Sequence, residues 1–94
     1  GPLEIDREDF VVKRNNDEII LTEKEKGILK LIINNPGRVF SHSEILDAVW
    51  GQDNIVEYGN IDVHIRHLRE KIEQYPDDPQ LIKTVKGEGY KFEL

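Results

Sequence analysis

The sequence predicts an α+β fold: a small antiparallel sheet at the N-terminus, a three-helix core and a β-hairpin at the C-terminus. Three observations carry that reading. Apolar residues alternate with period two near both ends, around turns rich in Asn, Asp and Gly. Thr22-Glu23-Lys24-Glu25 and Ser41-His42-Ser43-Glu44 each match a capping box, the signature of a helix start. Ile61, Ile65, Leu68 and Ile72 recur at i, i+4, i+7 and i+11, the stripe of an amphipathic helix with one buried face.

The elements follow in order. Phe10-Val11-Val12-Lys13 and Glu18-Ile19-Ile20-Leu21 flank Arg14-Asn15-Asn16-Asp17, whose Asn and Asp side chains favour a turn, so the pair reads as a hairpin. A strand around Leu3–Ile5 is expected to join it. The first helix begins at Thr22, buries Ile28, Leu29, Ile32 and Ile33, and stops at Asn35-Pro36-Gly37. Arg38-Val39-Phe40 is extended. A second helix opens at Ser41, carries Ile45, Leu46, Val49 and Trp50 on one side, and ends at Gly51. Residues 52 to about 58 form a loop. The third helix occupies Asn60 to Glu73, and Tyr75-Pro76-Asp77-Asp78-Pro79 breaks regular structure behind it. Leu81–Lys86 and Tyr90–Leu94 alternate around Gly87-Glu88-Gly89, a hairpin with glycines where positive φ is cheap.

Composition sets bounds on function. Ninety-four residues, 37% apolar and 34% charged, suit one domain with one modest core. Absence of cysteine excludes disulfides, thiolate metal sites and cysteine nucleophiles. No apolar run approaches the roughly 20 residues that span a bilayer, and no signal peptide opens the chain; no membrane partner and a cytoplasmic location are expected. Gly1-Pro2 reads as a protease-cleavage scar in front of a domain covering residues 3–94. Net charge is −6, an awkward value for a nucleic-acid binder. The acids are unevenly spread, however: residues 1–60 hold 12 acids against 7 Lys/Arg, and residues 61–94 hold 7 against 6. From His64 to Lys71 there are three fixed positive charges, two histidines and one acid.

With its Ile/Leu stripe buried, the third helix turns Gly59, Val63, Arg66, His67 and Glu70 outward, with His64, Arg69 and Lys71 on its flanks. Short helix, loop, basic helix and glycine-tipped ribbon follow helix-turn-helix logic in its winged form, the helix entering a major groove and the ribbon meeting phosphates or the minor groove.

At this point a resemblance becomes specific. Asn35-Pro36-Gly37-Arg38-Val39-Phe40-Ser41, Val49-Trp50-Gly51, the run from Val63 to Lys71 and the run from Ile82 to Phe92 resemble, in order and spacing, the winged-helix effector domain of OmpR/PhoB-type two-component response regulators. The resemblance covers nearly the whole chain. It implies a four-stranded N-terminal sheet, a recognition helix and a hairpin wing. It also implies sequence-specific binding to double-stranded promoter DNA and transcription regulation, with a phospho-acceptor receiver domain, absent from this sequence, answering to a sensor kinase.

Carried over residue by residue, the resemblance makes His67 the main base reader and Val63 a contact for a thymine methyl. It assigns His64, Arg66 and Arg69 to phosphates; with Asn60 and Lys71 these complete the recognition-helix set. Thr84, Lys86 and Gly87 form the wing set. The loop containing Gln52, Asp53, Asn54 and Glu57 corresponds to the surface facing RNA polymerase. Two copies are expected head-to-tail on direct-repeat half-sites. His67 cannot reproduce arginine's bidentate grip on guanine, and Lys86 stands where arginine is frequent.

Blander readings compete. Arg66 can pair with Asp62 or Glu70 on the helix surface, and Arg69 with Glu73, each worth only ~0.3–0.5 kcal/mol. His64, His67 and Asp62 lack the second ligand cluster of a metal site. No Ser/His/Asp set, paired-carboxylate cleft or phosphate-binding glycine loop is present, so neither an enzyme nor a cofactor is expected. The rival to DNA binding is a winged-helix protein-interaction module, which the net charge favours.

Overall fold

A computed structural model describes residues 3–6, 8–51 and 58–93, the first three residues of the last span by backbone alone. Strands β1 (Leu3–Asp6), β2 (Val11–Arg14) and β3 (Asp17–Ile19) form an antiparallel sheet in that order, with Ile5 opposite Val12 and Val12 opposite Ile19. Asn15 and Asn16 both take positive φ, at 54° and 70°, the geometry of a two-residue hairpin whose twist matches its strands. The fourth strand implied by the resemblance does not occur among the described residues. Residues 8–10 form a turn, with Asp6 Oδ1 accepting from the amides of Glu8 and Asp9, and Thr22 already caps a helix. Three strand lengths fill the chain between Leu3 and that cap.

Helix α1 (Glu23–Ile33) opens on the expected capping box: the Glu25 amide donates to Thr22 Oγ1 at 3.2 Å, and the Thr22 amide to Glu25 Oε1 at 2.8 Å. Helix α2 (His42–Ile45) opens on the Ser41–Glu44 box and continues into a π-helical turn over Leu46–Trp50. The sequence pattern gives no sign of that wider turn. It brings Val49 against α1 at Gly27, where an added Cβ would stand 2.9 Å from Val49 Cγ1. Helix α3 runs Tyr58–Ile72, two residues earlier than its stripe suggests. The C-terminal hairpin comprises β4 (Ile82–Val85) and β5 (Gly89–Phe92).

One core joins these layers. Ile28, Leu29 and Ile32 of α1, Ile45 of α2 and the complete stripe of α3 are buried together with Ile82 and Phe92. Each such side chain contributes roughly 1.5–3 kcal/mol relative to exposure. The extended piece before α2 runs beside β5: Phe40 and Tyr90 exchange backbone hydrogen bonds at 2.8 and 3.0 Å, and the Gly37 amide donates to Phe92 O at 2.9 Å. At Gly89 (φ 147°) a Cβ would lie 2.0 Å from Phe40 O, so glycine is required by this close approach.

Two buried carboxylates fix α3 in place. Glu73, just past the helix end, accepts from the backbone amides of Gln80, Leu81 and Ile82 at 2.8–3.2 Å, tying α3 to β4. Glu25 Oε1 receives Lys71 Nζ at 2.6 Å, tying α3 to the start of α1. Arg14 Nη2 donates to Ile72 O at 2.6 Å, satisfying a last-turn carbonyl of α3 from the sheet.

Candidate nucleic-acid interface

Burial of Ile61, Ile65, Leu68 and Ile72 leaves the opposite side of α3 in solvent. Val63 is 40% exposed, one of few large apolar side chains on the surface. Arg66 and His67 are exposed, and no side-chain hydrogen bond or ion pair ties either to another described residue. A bare apolar side chain beside a cation and an imidazole can meet base edges and phosphates together. His64 is half-buried, its ring packed edge-on at 5.2 Å against Trp50. Trp50 in turn lies under Lys24 Nζ, 5.3 Å from the ring centre, and so supports the flank of α3.

Of the other charged residues of α3, Asp62, Arg69 and Lys71 have partners elsewhere in the fold, while Glu70 is exposed. The pairings considered for Asp62 and Glu73 do not form: Glu73 serves the amides of Gln80, Leu81 and Ile82, and Asp62 Oδ1 accepts from His42 Nε2 at 2.7 Å and from the Tyr90 hydroxyl. Burial pushes the Asp62 carboxyl up, but these hydrogen bonds and the charges of His42 and Arg69 outweigh it and leave it below the usual aspartate range. Tyr90 is raised by burial and by its bond to that carboxylate. Arg69 donates to Ile82 O (Nε 3.2 Å, Nη2 2.8 Å) and to Thr84 Oγ1 (2.7 Å), with its guanidinium 5.5 Å over the Tyr90 ring. Two expected DNA-contacting residues, Arg69 and Thr84, thus bond to each other. Lys71, a third, is turned to Glu25.

At the wing tip Lys86 and Gly87 are exposed, Gly87 at φ 79°. A cleft of about 430 Å³ separates the wing from the start of α2, lined by Ser41, Ser43, Thr84 and Gly87 among others. The expected loop residues Gln52, Asp53, Asn54 and Glu57 lie outside the described residues, as does the side chain of Asn60. Sequence reasoning misses Asp62, His42 and Tyr90 as a cluster because they are far apart along the chain. The one hint is an acid in the otherwise cationic stretch from Asp62 to Arg69.

Residues 16–92 match the family described as "Transcriptional regulatory protein, C terminal". The chain belongs to that family. It has the fold of an OmpR/PhoB-type effector domain, a winged-helix DNA-binding module of transcription regulators. It is 42% identical over 93 residues to the sensory transduction protein RegX3 of Mycobacterium tuberculosis, an alignment spanning 99% of this chain and 41% of RegX3. The chain thus spans about two-fifths of that relative's length. The response regulator DrrB of Thermotoga maritima, an OmpR/PhoB homolog, superposes with a TM-score of 0.90 at 34% identity, covering 100% of this chain and 42% of DrrB. The RstA DNA-binding domain of Klebsiella pneumoniae, solved in complex with the RstA box, superposes with a TM-score of 0.82 at 26% identity, covering 99% and 92%.

Proposed function

We propose that this domain reads double-stranded promoter DNA with α3 in the major groove and the β4–β5 turn against the backbone or minor groove. The observation that carries the reading is the exposed group Val63, Arg66 and His67 opposite the buried stripe of α3, with Lys86 exposed at the wing. Val63 and His67 meet base edges, and Arg66 and Lys86 meet phosphates. Arg69, Thr84 and Lys71 have intramolecular partners and support this face. RstA, bound to its own DNA box, supports the docking mode by likeness of fold.

The remaining partners follow the response-regulator family. A receiver domain beyond this sequence connects the domain to a sensor kinase, two copies sit head-to-tail on direct repeats, and residues 52–57 face RNA polymerase. The domain works in the cytoplasm and is no enzyme; no described helix is long and apolar enough to cross a membrane. The net charge of −6 favours a second reading, a protein-interaction module that has lost DNA binding. Enrichment of duplexes from a random pool, followed by titration against salt, separates the two. The DNA reading expects one enriched motif and steep weakening with salt; no enrichment at low salt would leave the interaction module.

A further inference from the structure

Asp62 is an unexpected occupant of a helix that enters the groove of a polyanion. Its side chain is 54% exposed, and a carboxylate there repels phosphates. Its Oδ1, however, gathers donors from two other elements, His42 of α2 and Tyr90 of β5. Seven residues on, and therefore on the same face of α3, Arg69 grips β4 at Ile82 O and Thr84 Oγ1. Thr84 and Tyr90 are opposite one another in the β4–β5 register. Both anchors therefore seize the same rung of the wing, one from each strand, and the Arg69 guanidinium over the Tyr90 ring joins them. Lys86 stands two residues beyond that rung.

We infer that Asp62 and Arg69 are positioning residues for the wing: they lock the Thr84–Tyr90 rung to α3 and so set where Lys86 stands relative to Val63, Arg66 and His67. The inference rests on the reading that α3 and the wing engage one duplex. On that reading, a fixed spacing between helix and wing has to match the duplex, and a loosened wing gives up its share of the binding. Asp62 then favours binding despite its charge.

Two measurements test it. The chain has no cysteine, so Glu70→Cys and Glu88→Cys place a pair of spin labels on α3 and the wing turn without interference. Without DNA, the parent gives one narrow inter-label distance, and Asp62→Asn or Tyr90→Phe broadens or displaces it; an unaltered distance in both overturns the anchoring. The second measurement uses a duplex that the chain itself enriches from a random pool. Removal of a carboxylate alone would tighten binding, whereas loss of positioning weakens it in Asp62→Asn by roughly threefold to tenfold. Lys86→Ala should then cost less in the Asp62→Asn background than in the parent. Tighter binding, with the Lys86→Ala loss unchanged, overturns the inference. A parent that enriches no duplex overturns the DNA reading instead, while the label distances still decide the anchoring.

Discussion

Arg66 and Arg69 lie three residues apart on one helix and have opposite surroundings. Arg66 projects into solvent beside Val63 and His67, while Arg69 is held by Ile82 and Thr84 of the wing and lies over Tyr90. Lys71 goes to Glu25 and Glu73 to the backbone at the start of β4. The centre of α3 is thus left open, and its last two turns are fastened to the sheet side, α1 and the wing. A count of positive charges on the helix would treat these residues alike. Their partners separate a part that can meet a ligand from a part that is held to the rest of the fold, an arrangement in which preorganisation would lower the ordering cost of binding.

The comparison breaks most severely at Glu73. Glu73→Ala leaves the backbone amides of Gln80, Leu81 and Ile82 without their acceptor and should cost about 3 kcal/mol in urea unfolding. Glu70→Ala, three residues back on the open side, should change stability by no more than about 0.5 kcal/mol. Equal effects would mean that the fastened end of α3 carries no special weight.

Next in size is Glu25. Burial raises its carboxyl, but the hydrogen bonds from Lys71 and Thr22 and the Lys71 charge leave it below the ordinary 4.5. A carboxyl lowered in the folded state stabilises fully above its unfolded pKa, and the contribution disappears as pH falls through the folded value. Glu25→Gln keeps an acceptor for the cap but removes the charge facing Lys71, so stability at pH 7 should drop by about 1–2 kcal/mol. Part of the parent's loss of stability below pH 4.5 should vanish with it. Thermal melts from pH 7 to 3 check both, and parallel pH curves for parent and variant would remove Glu25 from the account.

The open centre is sharpened by His67. His67→Arg should create a bidentate guanine contact and shift preference at one or two base pairs by about 1–2 kcal/mol. His67→Ala should flatten preference there with little change in salt dependence. A panel of single-base variants of the enriched duplex measures both, and an unchanged base profile in both variants would take His67 away from the bases.

What the sequence reveals, and what it withholds, follows the same division. Periodicity exposes the stripe of α3 because burial repeats every three or four residues, and all four of its members are buried. Both capping boxes are legible because their partners are three residues apart. The Asn15-Asn16 turn and the glycine-tipped wing are legible from local backbone preferences. The π-helical turn leaves no such trace, since one added residue per turn hardly alters a short apolar pattern. The partners of Arg69, Lys71 and Asp62 are illegible for a different reason: they lie 13 to 46 residues away, and only the packed fold brings them within reach. Helical spacing points instead to Asp62 and Glu73 as surface partners, a weak local interaction that the long-range bonds override.

The division of α3 is tested most directly by the salt dependence of binding for Arg66→Ala and Arg69→Ala side by side on the enriched duplex. Removing one cation from the phosphate backbone lowers the slope of log affinity against log salt by about 0.9. Arg66→Ala should show a decrease of about that size, with stability unchanged. Arg69→Ala should bind more weakly and unfold more readily while keeping the parent's slope. Equal decreases of slope in the two variants, with equal stability, would show that both arginines face phosphates and that the division does not exist.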